Sequence, residues 1–121
     1  MTALILAQSI FYAKSYFEKK SNHEKVVQLL SDDHGLSGAT LEEAEKINSM
    51  ITNDKFSDSD LGLLYEHAGL IYMQLGEEMT YYRYLGYALY YLEYSEEKDY
   101  TVNIYMDLAN FHINNKAYNS A

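Results

Sequence analysis

GEEMTYYRYLGYALYYLEY, residues Gly76 to Tyr94, holds seven of the chain's fourteen tyrosines and no proline. Nothing in it forbids a helix of about five turns. At 100° per residue, Tyr81, Leu85, Ala88, Leu89 and Leu92 fall on one stripe. Tyr84, Tyr87, Tyr91 and Tyr94 fall on a second, with Arg83, Gly86, Tyr90 and Glu93 on the arc between. A helix with two apolar faces needs a neighbour on each side. That is the position of an inner helix in a stacked helical array.

Outward from this stretch, the chain reads as helix after helix. Six glycines and no prolines in 121 residues leave few hard stops. The first helix is expected from Thr2 to about Lys20, followed by a polar turn at Ser21–Glu24. A second helix carries Val26, Val27, Leu29 and Leu30 and should end near Ser31–Gly38. Thr40 with Glu43 forms a capping-box pattern for a helix bearing Leu41, Ala44, Ile47 and Ile51. Another runs from about Asp58 to Leu75, with Leu61, Leu64, Tyr65, Ala68, Ile71, Tyr72 and Leu75 inward, and Gly76 ends it. After the tyrosine helix come a turn at Ser95–Asp99, a helix from Tyr100 to Ile113, a turn at Asn114 and Asn115, and the start of one more. The expected fold is all-α, one domain over residues 1–121, with six or seven helices.

Composition narrows function. A net charge of −9 and no clustered basic stripe argue against nucleic acid. No cysteine means no disulfide and no thiolate metal site. The apolar opening MTALILAQSIFYA lacks a signal peptide's basic start and falls short of the roughly twenty residues of a span. A cytoplasmic protein with no membrane contact is expected.

Tyr65-x-x-Ala68-Gly69-x-x-Tyr72 aligns with Tyr105-x-x-Leu108-Ala109-x-x-His112 at an offset of 40 residues. The small fifth residue lets two helices approach closely. This pattern resembles the tetratricopeptide repeat, a helix–turn–helix unit with W-x-x-L-G-x-x-Y in its first helix and A-x-x-x-F-x-x-A in its second. Gly76 takes the turn position, and Leu85 and Ala88 match the second helix. Bulky Tyr81 replaces a small residue there, which implies a wider or locally distorted hairpin. The following repeat matches through Tyr105, Leu108, Ala109, Tyr118 and Ala121, and a looser match lies at Ala13-x-x-Tyr16 with HEKVVQLL. The helix from Leu41 to Thr52 fits no repeat cleanly. The spacing exceeds the usual 34 residues or so. It is similar to the long repeats of bacterial regulators, namely peptide-sensing transcription factors and phosphatases and the input regions of diguanylate cyclases.

The resemblance implies antiparallel hairpins stacked as a right-handed α-α superhelix, with a concave surface from the first helix of each hairpin. Carried over, that surface comprises Leu63, Glu66, Leu70, Met73 and Gln74, then Asn103, Met106, Asn110 and Asn114. Glu66 and Met106 stand where the carboxylate-clamp subset has basic residues, so an apolar or neutral peptide suits this groove better than an acidic one. Tyr82 and Tyr90, on the exposed arc, are candidate anchors for a partner.

Chemistry finds little purchase. His23, His34, His67 and His112 lack the E-x-x-H or H-x-x-x-H spacing of metal-binding helices, and His112 reads as a packed core residue. Gly35–Gly38 has no lysine after it to make a phosphate loop. Neither a metal, a cofactor nor enzyme activity is expected. The implied role is a protein- or peptide-binding or sensory module within a longer bacterial signalling or regulatory protein. The alternative is a structural homodimer, formed through the apolar flank of the last full helix, that spaces attached effector domains. A final helix of six residues would be too short to stand alone, so the chain is expected to be a fragment.

Overall fold

Three local features bracket the middle of the chain. Thr40 is extended (φ −126°), and its hydroxyl accepts a hydrogen bond from the Glu43 amide at 3.2 Å. Ser57 does the same for the Asp60 amide at 3.2 Å. Such caps satisfy donors that a helix start leaves open. At the far end of the second helix so started, Gly76 takes φ +84°. Its amide bonds to the Met73 carbonyl and that of Glu77 to Tyr72, at 3.1 and 2.9 Å. This is a Schellman closure, which favours glycine because the left-handed region costs it nothing.

The computed structural model describes residues 2–32, 40–93, 95 and 98–120. It is all-helical: α1 (Thr2–Asp32), α2 (Leu41–Asn53), α3 (Asp58–Gln74), α4 (Glu78–Leu92) and α5 (Lys98–Ser120). No strand occurs among the described residues.

The hairpin of α3 and α4 is the centre. A Cβ on Gly62 would collide with Leu92 Cγ and lie 3.2 Å from the Ala88 carbonyl oxygen, and one on Gly69 would lie 3.1 Å from Tyr84 Cβ. The two backbones approach at both ends of this contact. Tyr81 does not force them apart, because Gly69 leaves room for it: its ring carbon Cδ2 lies 3.7 Å from where a Gly69 Cβ would stand, and the ring also packs on Phe111 of α5 at 6.2 Å between centroids. The wide hairpin expected from its bulk is therefore not needed.

Both stripes of α4 are used as the periodicity requires. Tyr81, Leu85, Ala88 and Leu92 are buried with Ile104 of α5. Tyr84, Tyr87 and Tyr91 surround Tyr65 of α3, with ring centroids 5.3 to 5.7 Å apart. On the other side of α3, Leu64, Ala68 and Ile71 close a second core with Val26 of α1, Ala44 and Ile47 of α2, and Phe56. Asn48 ties three helices together: its amide donates to Tyr72 Oη at 3.1 Å and its carbonyl accepts from Tyr84 Oη at 2.8 Å.

Two expected turns are absent, which leaves five helices among the described residues rather than six or seven. α1 runs straight through Ser21–Glu24 for 31 residues. Neither Ser21 nor Asn22, the residues of this segment suited to an N-cap, starts a new helix here. Asn22 Nδ2 donates to the Lys55 carbonyl at 2.6 Å, and His23 Nδ1 sits 2.9 Å from the buried Asp60 carboxylate. Asn114 and Asn115 likewise lie inside α5; polar residues weaken a helix interior without breaking it. His112 is exposed rather than packed in the core, with its ring against Tyr82 at 5.4 Å. The expected path of Ser31–Gly38 and the second-stripe Tyr94 fall largely or wholly outside the described residues.

Gly62→Ala tests the hairpin contact. The added methyl meets Leu92 and a backbone oxygen, so the variant should lose about 1–3 kcal/mol despite alanine's better helix propensity. Denaturant unfolding should show a lower midpoint at an unchanged slope; equal or higher stability would mean that the backbones are not held this close.

Candidate binding cleft between α3 and α5

The pattern Ile104, Asp107, Leu108, Phe111 has helical i, i+3, i+4, i+7 spacing. Ile104 is fully buried, and Leu108 and Phe111 pack on the same cluster. This turns one carboxylate, Asp107, toward the body of the protein. On α3, Leu63, Glu66 and Leu70 are half-buried, while Met73 and Gln74 are exposed. Leu70 joins the α4–α5 core, and Glu66 feels the charge of Asp107. Glu66 of α3 and Asp107 of α5 thus lie near enough for one charge to act on the other, with Tyr81 of α4 near both, and this junction is the candidate cleft.

Burial pushes the Glu66 carboxyl up from its ordinary 4.5 to about 7, and the Asp107 charge adds to the effect. Burial also raises Asp107. The Tyr81 hydroxyl is raised by burial, then by the charges of Asp107 and Glu66. Each shift has the same sense, because the surroundings disfavour negative charge in the cleft. Two chemical consequences follow. Near neutral pH, Glu66 is a proton store poised between its two states. A cationic group entering the cleft would be stabilised by both carboxylates.

The remaining groove residues lie outside this junction. Asn103, Met106, Asn110 and Asn114 are exposed on α5 beside the cleft, and Met106 is 60% accessible. Asp107 was not among the residues singled out from the sequence, although the spacing above marks it as an acid on a buried face. Tyr82 stacks on Phe111 at 5.3 Å and so belongs partly to the α4–α5 contact. Tyr90 is 63% exposed, with its ring edge-on to Tyr91 at 5.1 Å. No group of three or more His, Cys, Asp or Glu residues that could hold a metal occurs among the described residues. No described helix is long and apolar enough to cross a membrane.

No protein family, curated protein or solved structure matches the chain.

The raised Glu66 carboxyl sets the sign of a pH effect. The folded protein holds this proton more tightly than the unfolded chain, so its contribution to stability is full below about pH 4.5 and is lost as pH rises through about 7. Wild type should therefore lose stability between pH 5 and 8 relative to Glu66→Gln, whose side chain stays neutral. Carbon-detected NMR of the Glu66 carboxyl should give a midpoint near 7, moved downward by Asp107→Asn. A midpoint at the ordinary 4.5 would show that the cleft is open to water.

Proposed function

We propose that this chain is a protein- or peptide-binding module of the tetratricopeptide-like kind, serving a larger bacterial signalling or regulatory protein. The observation that carries the reading is the α3–α5 cleft. Its Glu66 and Asp107 carboxyls repel each other's charge, and exposed Met73 and Met106 stand at 51% and 60% accessibility on its two helices. Flexible thioethers adapt to varied apolar surfaces. A basic side chain between the carboxylates would relieve their repulsion, and burial would strengthen that attraction.

The favoured ligand is thus an extended or helical segment with apolar residues flanking a lysine or arginine. This differs from the neutral peptide suggested by the groove residues alone, because Asp107 adds a second charge. The exposed asparagines Asn103, Asn110 and Asn114 supply donors and acceptors for a ligand backbone.

Selection from a displayed random-peptide library tests this. Enriched peptides should carry a basic residue, and their affinity should fall about tenfold or more in Asp107→Asn and in Met106→Glu, the scale of a lost anchor contact. Val27→Ser, on exposed α1, should leave binding unchanged. Peptides whose affinity ignores both cleft substitutions, or a library with no enrichment, would sink the reading.

A further inference from the structure

The first half of α1 is the largest apolar surface that the cleft does not explain. Leu4, Ile5, Leu6, Ile10, Phe11, Tyr12, Tyr16 and Phe17 are each 61–72% accessible. Scattered exposed apolar residues are ordinary, but eight within fourteen positions form one continuous surface. At very roughly 150 Å² for each side chain, they offer about 800 Å², one partner's share of a standard interface and more than most monomers expose.

The arm is anchored at its root. Lys55 Nζ lies 5.3 Å from the Phe11 ring centroid and 3.7 Å from a Glu18 carboxylate oxygen. Asn22, His23 and Val26 fix the following turns against the body. Leu4, Phe11 and Ser15 continue that inward line. Leu6, Ile10, Ala13 and Phe17 fall on the opposite side, spaced 4, 3 and 4 residues apart, which is the seam spacing of paired helices. This second stripe points away from the protein's own core.

We infer that the Leu6–Ile10–Ala13–Phe17 stripe pairs antiparallel with the same stripe of a second copy, making α1 the interface of a two-fold dimer. Size and charge both select a second copy. In an antiparallel pair centred between Ile10 and Ala13, Ile10 meets the small Ala13 of the second copy and Leu6 meets its Phe17. Large side chains thus face small ones or each other's ends, and the contact is self-complementary. Residues 2–17 carry one charge, Lys14, so the acidic excess behind the net charge of −9 lies wholly outside the arm. Two acidic bodies repel. Antiparallel arms hold them at opposite ends, whereas a parallel pair would set them side by side. On α5, the helix whose apolar flank the sequence offers as a dimer surface, Val102, Met106 and Ile113 are exposed as well, but Met106 lies beside the cleft and is already used in the proposed peptide surface.

The test is sedimentation of the full chain from about 1 to 200 μM, a span that captures micromolar association. Wild type should shift from monomer to dimer, and Ile10→Glu should remain monomeric throughout. Because Ile10 is exposed, the variant should keep the wild-type helical signal and thermal midpoint, extrapolated to low concentration. Val102→Glu should dimerise like wild type. The chain has no cysteine, so the register can be read by oxidation. A mixture of Ile10→Cys and Ala13→Cys chains should crosslink to each other faster than either does to itself. A monomer at every concentration, a dimer that ignores Ile10→Glu but is broken by Val102→Glu, or equal self-crosslinking of each cysteine variant would overturn the proposal. So would a monomer that instead sediments with phosphatidylserine-containing vesicles. Peptide capture by the cleft is unaffected by any of these outcomes.

Discussion

The close approach of α3 and α4 is the constraint on which the other contacts rest. Gly62 and Gly69 remove the side chains that would hold two helical backbones apart. The space above and below is then filled by Leu92, Tyr84 and Tyr65. This fixes the rotation of α4, so that Leu85 and Ala88 enter the core that Ile104 of α5 completes, with Tyr65 packed against it. It fixes α3 likewise, leaving Leu64, Ala68 and Ile71 to meet α1 and α2. One tight contact thereby sets the orientation of two separate cores.

The hairpin was legible in the sequence because several signals agreed there. Periodicity placed two stripes on α4, the small residues marked the approach, and Gly76 marked the stop. Consistent local and global preferences of this kind are what make a segment readable. The misses came where one signal was read alone. Ser21–Glu24 is polar, and polarity suggested a turn. Polarity also serves a helix whose side chains are committed elsewhere, as Asn22 and His23 are to Lys55 and Asp60. No property of residues 21–24 announces partners more than thirty positions away. His112 misleads in the opposite direction: its alignment with Tyr72 implies burial, but it stays exposed at the edge of the α4–α5 contact, its ring against Tyr82.

The cleft was half legible. Glu66 and Leu70 followed from the repeat resemblance, and both lie at the α3–α5 junction. Asp107 did not, because the repeat pattern points to the exposed row beside it. Its role depends on how α5 is turned against α4, which the burial of Ile104 and the packing of Phe111 decide. The electrostatics of the cleft is a tertiary property: burial raises both carboxyls, and the Asp107 charge adds to the rise of Glu66.

The tyrosine cluster also has an optical consequence. The chain has no tryptophan, so tyrosine dominates its near-ultraviolet absorption and emission. Tyr65 and Tyr91 stack with planes 6° apart, 5.6 Å between centroids, while Tyr84 and Tyr87 meet the same ring at steep angles. Fixed chromophores at such distances couple their transition dipoles and should produce a near-ultraviolet circular dichroism band. Tyr12 and Tyr16, exposed on α1, should contribute emission but little of that band. The protein thus carries a built-in spectroscopic separation, in which ellipticity follows the closeness of α3 and α4 and fluorescence also follows the surroundings of the arm.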